Sequence, residues 1–283
     1  MHIKMFSFLH LFINGSVFAF SLYACTILSM KTKSIKYKFT DLYKPHTQTQ
    51  KQYVECLNDE SKKIVVTVGP AGSGKTMFCC LKAMELLKKG EINKIIVTRP
   101  TVSVDGEEVG FLPGSIVGKM DPWTRPIFDV FLECLSKSEL DELIYNNVIE
   151  ISPLGFMRGR TFKNAFIIAD EMQNSSPNQM KMLTTRLGNG SRMVITGDLN
   201  QVDKANNVNG LVDFMKLVTT NQQTSFTCDE IYNPIEIIEF AKEDIERSDI
   251  VKHVISLYEV DLVASASIEK VPRKIWEDYR NPL

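Results

Sequence analysis

The stretch GPAGSGKT (residues 69–76) combines residue types that bind phosphate groups. It fits the pattern G-x-x-x-x-G-K-[ST] at every position, and it stands between an apolar run and a helical pattern, as that motif requires. Glycines let the backbone approach phosphate oxygens, and N–H groups at a helix start stabilise negative charge. We expect Lys75 to reach the β- and γ-phosphates of ATP and Thr76 to bind Mg²⁺. The predicted nucleotide-binding residues are Gly69, Pro70, Ala71, Gly72, Ser73, Gly74, Lys75 and Thr76.

A second candidate stretch, AFIIADEMQN (residues 165–174), leads an apolar run directly into Asp170 and Glu171. Taken alone, the two acids could simply open a polar turn. The phosphate-binding loop at residues 69–76 changes this interpretation, because Mg²⁺ bound at that loop needs a carboxylate from another strand. We assign Asp170 to Mg²⁺ and Glu171 to positioning and deprotonating a water molecule. The adjacent pair therefore favours water as the phosphate acceptor and disfavours a small-molecule kinase.

Two further segments carry amides and carboxylates suited to sensing the γ-phosphate. Gln173 follows the acidic pair, and the segment GDLNQ (residues 197–201) ends another apolar run. Ordinary turn residues are the alternative. With the phosphate-binding loop present, we assign γ-phosphate sensing to Gln173, Gly197, Asp198 and Gln201, with Gln201 also a catalytic candidate.

Strands and helices must bring these residues together. Short apolar or β-branched runs predict strands at residues 63–68, 94–98, 147–152, 165–171 and 192–198. Helical patterns cover residues 75–89, a mixed region containing PWTRPIFDVFLECL, and a segment from Ser176–Pro177 to Gly188, while VDGEEVGFLPGS reads as a loop. Because strands alternate with helices, we expect one α/β domain with a mostly parallel sheet flanked by helices. Beyond Asp198 we expect mainly helices and loops.

Composition limits the classes of partner. The 283 residues are 44% apolar and carry a net charge of −1, so any contact with nucleic acid must come from a local patch. The six cysteines include no C-x-x-C pair and histidine is scarce, which predicts neither a zinc site nor a disulfide framework. Reduced thiols favour a cytoplasmic location.

The first 30 residues differ from the rest. Residues 6–30 are apolar enough to span a bilayer and are followed by lysines, so a membrane anchor with a cytoplasmic body is one interpretation. An upstream extension of the reading frame, with a functional start at Met30, is the other, which we prefer. We therefore divide the chain into residues 1–30, a basic segment at 31–62, an ATPase domain at 63–258 and a tail at 259–283.

Together these motifs resemble the PhoH-like family of phosphate-starvation ATPases, which is related to the core of superfamily 1 helicases. The resemblance covers about residues 46–258 and rests on KPHTQTQKQY, GPAGSGKT, VTRPTV, GEEVGFLPGS, PLGFMRGRTF, DEMQN, TTRLGNGS, TGDLNQVD and EDIERSDIVKHV. It implies a single RecA-like P-loop NTPase domain, ATP binding and a ring of identical subunits, such as a hexamer. RNA unwinding or remodelling is proposed for some relatives. The resemblance also implies that Gln50 reads adenine, with a plain surface glutamine as the alternative.

The charge that develops on the γ-phosphate needs an arginine that the loop does not supply. Of the candidates Arg99, Arg158, Arg160, Arg186 and Arg247, we nominate Arg186 from a neighbouring subunit, with Arg247 as second choice. In this chain Arg247 precedes Ser248 and Asp249, where the family pattern has His and Pro. We assign Arg158 and Arg160 to contacts with a nucleic-acid backbone. Phe111 and Trp123 are candidates for stacking on bases, with packing in the core as the alternative.

Two functions remain open on these residues. The first is an ATPase that remodels or unwinds RNA or single-stranded nucleic acid. The second is a nucleotide-dependent regulatory module that binds a protein partner without unwinding. A basic surface reaching Arg158 and Arg160 would favour the first function, whereas the near-neutral charge of the whole chain favours neither.

Overall fold

Six short runs of the sequence form the sheet of this protein, which we describe from a computed structural model. The structure describes residues 44–100, 116–201, 209–224, 233–248, 250–251 and 253–254, with the backbone alone at 116–123 and 223–224. The predictions for the apolar segment 6–30, the loop VDGEEVGFLPGS, the side chains of Phe111 and Trp123 and the tail at 259–283 lie outside the described residues.

Every strand pair of the sheet is parallel, which confirms the predicted α/β class. The strands are β1 (Ile64–Val68), β2 (Lys94–Thr98), β3 (Ile149–Ile151), β4 (Ala165–Ala169), β5 (Arg192–Gly197) and β6 (Ile235–Glu239). Within the described residues they form one sheet in the order β3-β2-β4-β5-β1-β6. The β1, β4 and β5 positions are all buried, as continuous apolar runs covered on both faces require.

Strand β6 corrects the prediction that the chain beyond Asp198 forms mainly helices and loops. It pairs with β1 along its whole length, from Ile235 beside Ile64 to Glu239 beside Val68. Its sequence IEIIE contains two glutamates, and no position of β6 is fully buried, because β6 lies at the edge of the sheet. Its partner β1 lies far earlier in the chain, so no local pattern identified it as a strand.

The helices that flank the sheet begin where the sequence places capping residues. The helix directly after the glycine loop spans Lys75–Lys89 and is capped by Gly90, as predicted. Thr47, Ser136 and Ser176 cap three other helices with reciprocal side-chain bonds. The helices are α1 (Gln48–Asn58), α2 (Lys75–Lys89), α3 (Ile116–Cys134), α4 (Lys137–Tyr145), α5 (Pro177–Thr184) and α6 (Gly210–Thr224). Short 3₁₀ turns occur at Leu154–Met157, Met172–Asn174 and Lys242–Asp244.

Helix α5 ends four residues before Gly188, where the sequence predicts its end. The hydroxyl of Thr185 bonds to the carbonyl oxygens of Lys181 and Met182 at 2.9 Å each, and these bonds close the last turn. Beyond it, Phe162 N–H donates to the Arg186 carbonyl at 2.9 Å and Gly188 N–H donates to the Phe162 carbonyl at 2.7 Å. A tertiary strand-like pairing therefore replaces the last helical turn.

Hydrophobic residues cover both faces of the sheet. Tyr53, Phe131 and Phe166 are fully buried on the face that carries α1, α2 and α3. Met157, Ile167 and Met193 are fully buried on the opposite face. Since all strands are parallel, their carboxyl ends meet at one edge of the sheet, where ligands of this architecture bind.

The chain divides into two compact units, Met1–Asp244 and Ile245–Leu283. The sheet and helices α1 to α6 belong to the first unit. In the second unit Arg247 is exposed. Among the described residues, no helix combines the length and the apolar character needed to cross a membrane.

Candidate nucleotide site

The glycine loop between β1 and α2 wraps around the ammonium group of Lys75. Lys75 Nζ donates to the carbonyl oxygens of Gly69 at 2.8 Å and Pro70 at 2.7 Å, and it lies 3.3 Å from Ser73 Oγ. Among the residues that the structure describes, no carboxylate forms an ion pair with Lys75. Burial lowers the pKa of Lys75, although Asp198, Glu171 and Asp170 act to raise it. A half-buried cation held only by neutral oxygens suits an anionic ligand.

Two glycines of the loop have no room for a side chain. A Cβ atom at Gly69 would lie 2.5 Å from the carbonyl oxygen of Phe240, and one at Gly74 would lie 2.8 Å from the Phe78 ring. Both residues have positive φ, 142° at Gly69 and 92° at Gly74, which L side chains rarely adopt. The loop conformation therefore depends on glycine at these positions.

Asp170 lies beside the start of α2, as the sequence predicts. Its Oδ1 atom accepts hydrogen bonds from Thr76 Oγ1 at 2.9 Å and from Thr196 Oγ1 at 2.5 Å. Strand β5, which carries Thr196, lies between β1 and β4 and so joins the two halves of the site. Carboxylate and hydroxyl oxygens are suitable ligands for Mg²⁺, so Thr76 and Asp170 fit this metal.

Glu171 follows Asp170 but has different partners. Its backbone is left-handed, with φ 55° and ψ 39°, a conformation that is uncommon for a residue other than glycine. Its Oε2 atom accepts a 2.5 Å hydrogen bond from Gln173 Nε2, and its Oε1 atom lies 3.7 Å from Arg99 NH2. The two adjacent carboxylates are therefore held by separate groups, as two distinct roles require.

The side chain of Gln173 connects three of the predicted sensing positions. Its Nε2 atom also donates to the carbonyl oxygen of Gln201 at 3.1 Å, and its Oε1 atom accepts from the Asp198 N–H at 3.1 Å. A Cβ atom at Gly197 would lie 3.0 Å from the same Oε1 atom. The structure thus brings Gln173, Gly197, Asp198 and Gln201 together next to Glu171.

Two side chains of helix α1 donate hydrogen bonds to backbone carbonyl groups of the glycine loop and of the start of α2. Gln50 is buried, with 1% of its surface exposed, which excludes the alternative of a plain surface glutamine. Its Nε2 atom donates to the Ser73 carbonyl at 3.4 Å, while its Oε1 atom accepts from the His46 N–H at 2.8 Å. Tyr53, one turn later, donates its hydroxyl to the Lys75 carbonyl at 3.1 Å.

The arginines of the segment MRGRT differ in their surroundings. Arg160 NH2 donates to Glu150 Oε2 at 3.0 Å, NH1 bonds to the other oxygen of the same carboxylate, and the guanidinium lies 4.6 Å from the centre of the Phe162 ring. Arg158 is exposed. The fork of Arg160 is therefore engaged within the fold, while Arg158 lies at the surface.

Arg186 lies near the amino ends of the strands, whereas the glycine loop lies at their carboxyl ends. Its backbone pairs with Phe162, which precedes the amino end of β4, whereas the loop follows the carboxyl end of β1. Its guanidinium donates to the carbonyl oxygens of Met182 at 3.1 Å and Arg160 at 3.0 Å. Arg186 cannot reach the site of its own chain from this position.

Sequence reasoning missed two residues that contact the site and treated a third only generally. Thr196 follows the apolar residues Met193 to Ile195 in a buried strand. A polar side chain at such a position was a usable signal for a residue of the site. Tyr53 lies three residues after Gln50 and so on the same helical face. Arg99 was among five candidate arginines, and only the fold shows that it approaches Glu171.

The fold and the site define a P-loop NTPase. A G-x-x-x-x-G-K-T loop joins the first strand of a parallel sheet to the following helix, and the threonine of this loop is hydrogen-bonded to an aspartate that follows another strand. The family model described as "PhoH-like protein" matches residues 43–259. The chain belongs to the PhoH-like family, as its motifs predict.

Curated relatives carry the same family description. The PhoH-like protein of Bacillus subtilis (strain 168) is 39% identical over 229 residues, which cover 81% of this chain and 65% of that protein. Protein PhoH of Escherichia coli (strain K12) is 37% identical over 214 residues, which cover 75% of this chain and 56% of that protein. This chain thus spans less than two thirds of the length of either relative. The crystal structure of the Pif1 helicase from Candida albicans aligns with 84% of this chain and 48% of that chain, at 13% identity and a TM-score of 0.35.

Proposed function

We propose that this protein binds ATP with Mg²⁺ and hydrolyses it in the cytoplasm. The observation that carries the proposal is the separation of the two carboxylates, since Asp170 bonds to Thr76 of the loop while Glu171 is turned toward Gln173 and Arg99. A metal held by Thr76 and Asp170 would neutralise charge on the phosphates. Glu171 then orients the attacking water and accepts its proton.

The residues around this pair have supporting roles. Lys75 exchanges its bonds to loop carbonyls for bonds to the β- and γ-phosphates, whose negative charge favours the protonated ammonium group. Gln173 links Glu171 to Asp198 and Gln201, so loss of the γ-phosphate can be relayed from Glu171 to these two residues. We assign adenine recognition to Gln50, whose amide would exchange its bonds within α1 and the loop for bonds to the base.

We further propose that the site is completed by a neighbouring subunit in a ring. The γ-phosphate needs an additional positive charge, and such an arginine contributes about 10³–10⁵ in rate in other phosphate hydrolases. Arg186 lies near the amino ends of the strands, away from the glycine loop of its own chain. In this proposal its guanidinium therefore contacts the γ-phosphate bound to a neighbouring subunit. Arg247 is the second choice.

The substrate of the motor activity is RNA or another single-stranded nucleic acid in this proposal. The exposed side chain of Arg158 and the absence of acidic residues from 151 to 169 support it. A regulatory module that binds only a protein partner is the competing function.

The ATPase rate with and without single-stranded RNA separates the two functions. A motor that acts on nucleic acid hydrolyses ATP faster when its track is bound, so we expect RNA to raise the rate. Double-stranded RNA of the same length is the control for nonspecific polyanion effects. ATP hydrolysis that is insensitive to every nucleic acid would support the regulatory module, and no hydrolysis under any condition would refute both the ATPase and its motor role.

A further inference from the structure

An exposed aromatic side chain lies in the segment between β3 and β4. Phe156 has 64% of its surface exposed, although Leu154 and Met157 on the same 3₁₀ turn are buried at 1% and 0%. Phe156 N–H donates to the Pro153 carbonyl at 2.9 Å, which fixes the turn. The buried side chains of Leu154 and Met157 therefore hold the turn in place, while the ring of Phe156 faces solvent.

Two glycines close to Phe156 in the sequence face open space. A Cβ atom at Gly155 would meet nothing within 4 Å, and the same is true of Gly159. Neither glycine adds a side chain to the segment around Phe156, and the space next to each is open. An aromatic ring of this kind is a platform on which a nucleobase can stack, whatever the identity of the base.

The charge of this segment matches a nucleic-acid backbone. Residues 151–169 contain Arg158, Arg160 and Lys163 and no acidic residue. The nearby carboxylate of Glu150 is already paired with Arg160 and with Lys94, the latter at 2.8 Å. Arg158, which follows Phe156 by two residues, is exposed, and Lys163 further along the segment is exposed as well. The segment therefore combines an exposed ring with exposed positive charge.

The segment also starts at the edge of the sheet where the nucleotide site lies. Ser152 N–H donates to the Val97 carbonyl at 2.9 Å, at the carboxyl end of β2, and β2 is the direct neighbour of β4, which carries Asp170 and Glu171. We propose that Phe156 stacks on a base of single-stranded nucleic acid while Arg158 contacts the adjacent phosphate. This inference rests on the proposed function and names the contact through which the nucleic acid is held.

The test is binding of fluorescein-labelled 20-nucleotide oligouridylate and oligothymidylate to the full chain, followed by fluorescence anisotropy. Phe156→Ala should weaken binding by roughly 5- to 150-fold, the usual contribution of one stacked base, while Phe156→Trp should retain it. Arg158→Ala should lower the slope of log affinity against log salt by about 0.7. Tyr145→Ala, which removes an aromatic side chain that is 86% exposed in α4, is the matched control and should bind like the wild type.

Several outcomes would overturn the inference. Equal affinity of Phe156→Ala and the wild type would show that the ring does not stack on a base. A change of oligomeric mass in Phe156→Ala would place the ring in a contact between subunits. A wild type that hydrolyses ATP but binds neither oligonucleotide would refute this inference and leave the ATPase proposal intact. Preference between the two oligonucleotides identifies RNA or DNA as the ligand.

Discussion

Glu171 has a left-handed backbone, and this conformation costs about 1 kcal/mol or more for a residue other than glycine. The same conformation turns the chain at the end of β4, where Asp170 bonds to Thr76 and Glu171 to Gln173. The strain therefore accompanies the separation of the two carboxylates on which the proposed mechanism depends.

Glu171→Gln should keep ATP bound while hydrolysis slows. Glutamine retains the shape of the side chain and an acceptor oxygen for Gln173, but it cannot accept a proton from water. We expect phosphate release to fall by about 10²–10⁴ and the ATP dissociation constant to change little. Equilibrium binding of ATP and single-turnover hydrolysis measure the two effects separately.

Asp170→Asn is the matched comparison, because it changes the adjacent carboxylate in the same way. It should weaken ATP binding only when Mg²⁺ is present. If Glu171→Gln hydrolyses ATP at the normal rate and Asp170→Asn alone is inactive, the assignment of the two roles is wrong.

Among the elements, the short edge strand β3 depends on charged partners as well as on pairing with β2. Burial alone would raise the pKa of Glu150, but hydrogen bonds from Arg160 and Lys94 outweigh it and hold the pKa below its ordinary value of 4.5. A carboxylate whose pKa is lower in the folded chain than in the unfolded chain stabilises the fold at pH values above the unfolded pKa. This stabilisation is lost as the pH falls through the folded pKa.

Arg160→Ala should lower the free energy of unfolding by about 1 kcal/mol at pH 7, since its guanidinium is partly exposed and Lys94 remains. The difference from the wild type should shrink as the pH falls below 4.5, where Glu150 of the unfolded chain binds a proton, and it should be lost as the pH falls through the lowered pKa of folded Glu150. Urea unfolding at pH 7 and pH 3.5 measures it, and Arg158→Ala in the same segment is the control. A difference that stays constant with pH would show that Arg160 acts through packing on Phe162 alone.

The elements also show what the sequence could and could not reveal. Strands β1, β2, β4 and β5 were predictable because each is an apolar run buried on both faces. Strand β6 and the end of α5 were not, because distant pairing with Ile64–Val68 and with Phe162 determines them. The loop and the acidic pair were found from local motifs, whereas the contact of Thr196 with Asp170 arises only when β5 lies between β1 and β4.

In the assembled protein we expect each ATP site to be shared between subunits. Arg186→Gln has no charge, and its amide nitrogen takes the place of the Arg186 Nε atom that donates to the Met182 carbonyl. Lys75→Ala lacks the phosphate-binding ammonium. Both variants should be inactive alone, yet mixing them with subunit exchange should rebuild some working sites. The ATPase rate plotted against mixing ratio should pass through a maximum. A flat line near zero, with exchange confirmed independently, would exclude Arg186 as the shared residue.

If Lys75 lies in a site that hydrolyses ATP, Lys75→Ala should lose ATPase activity, and the ATPase rate of this variant measures that loss. Lys89→Ala is the matched control, because Lys89 lies on the same helix α2, is exposed and pairs with Glu85. Loss of one charged group at a dry site of this kind lowers turnover by about 10²–10³. We expect that loss for Lys75→Ala and normal turnover for Lys89→Ala. Turnover of Lys75→Ala close to that of the wild type would contradict the account.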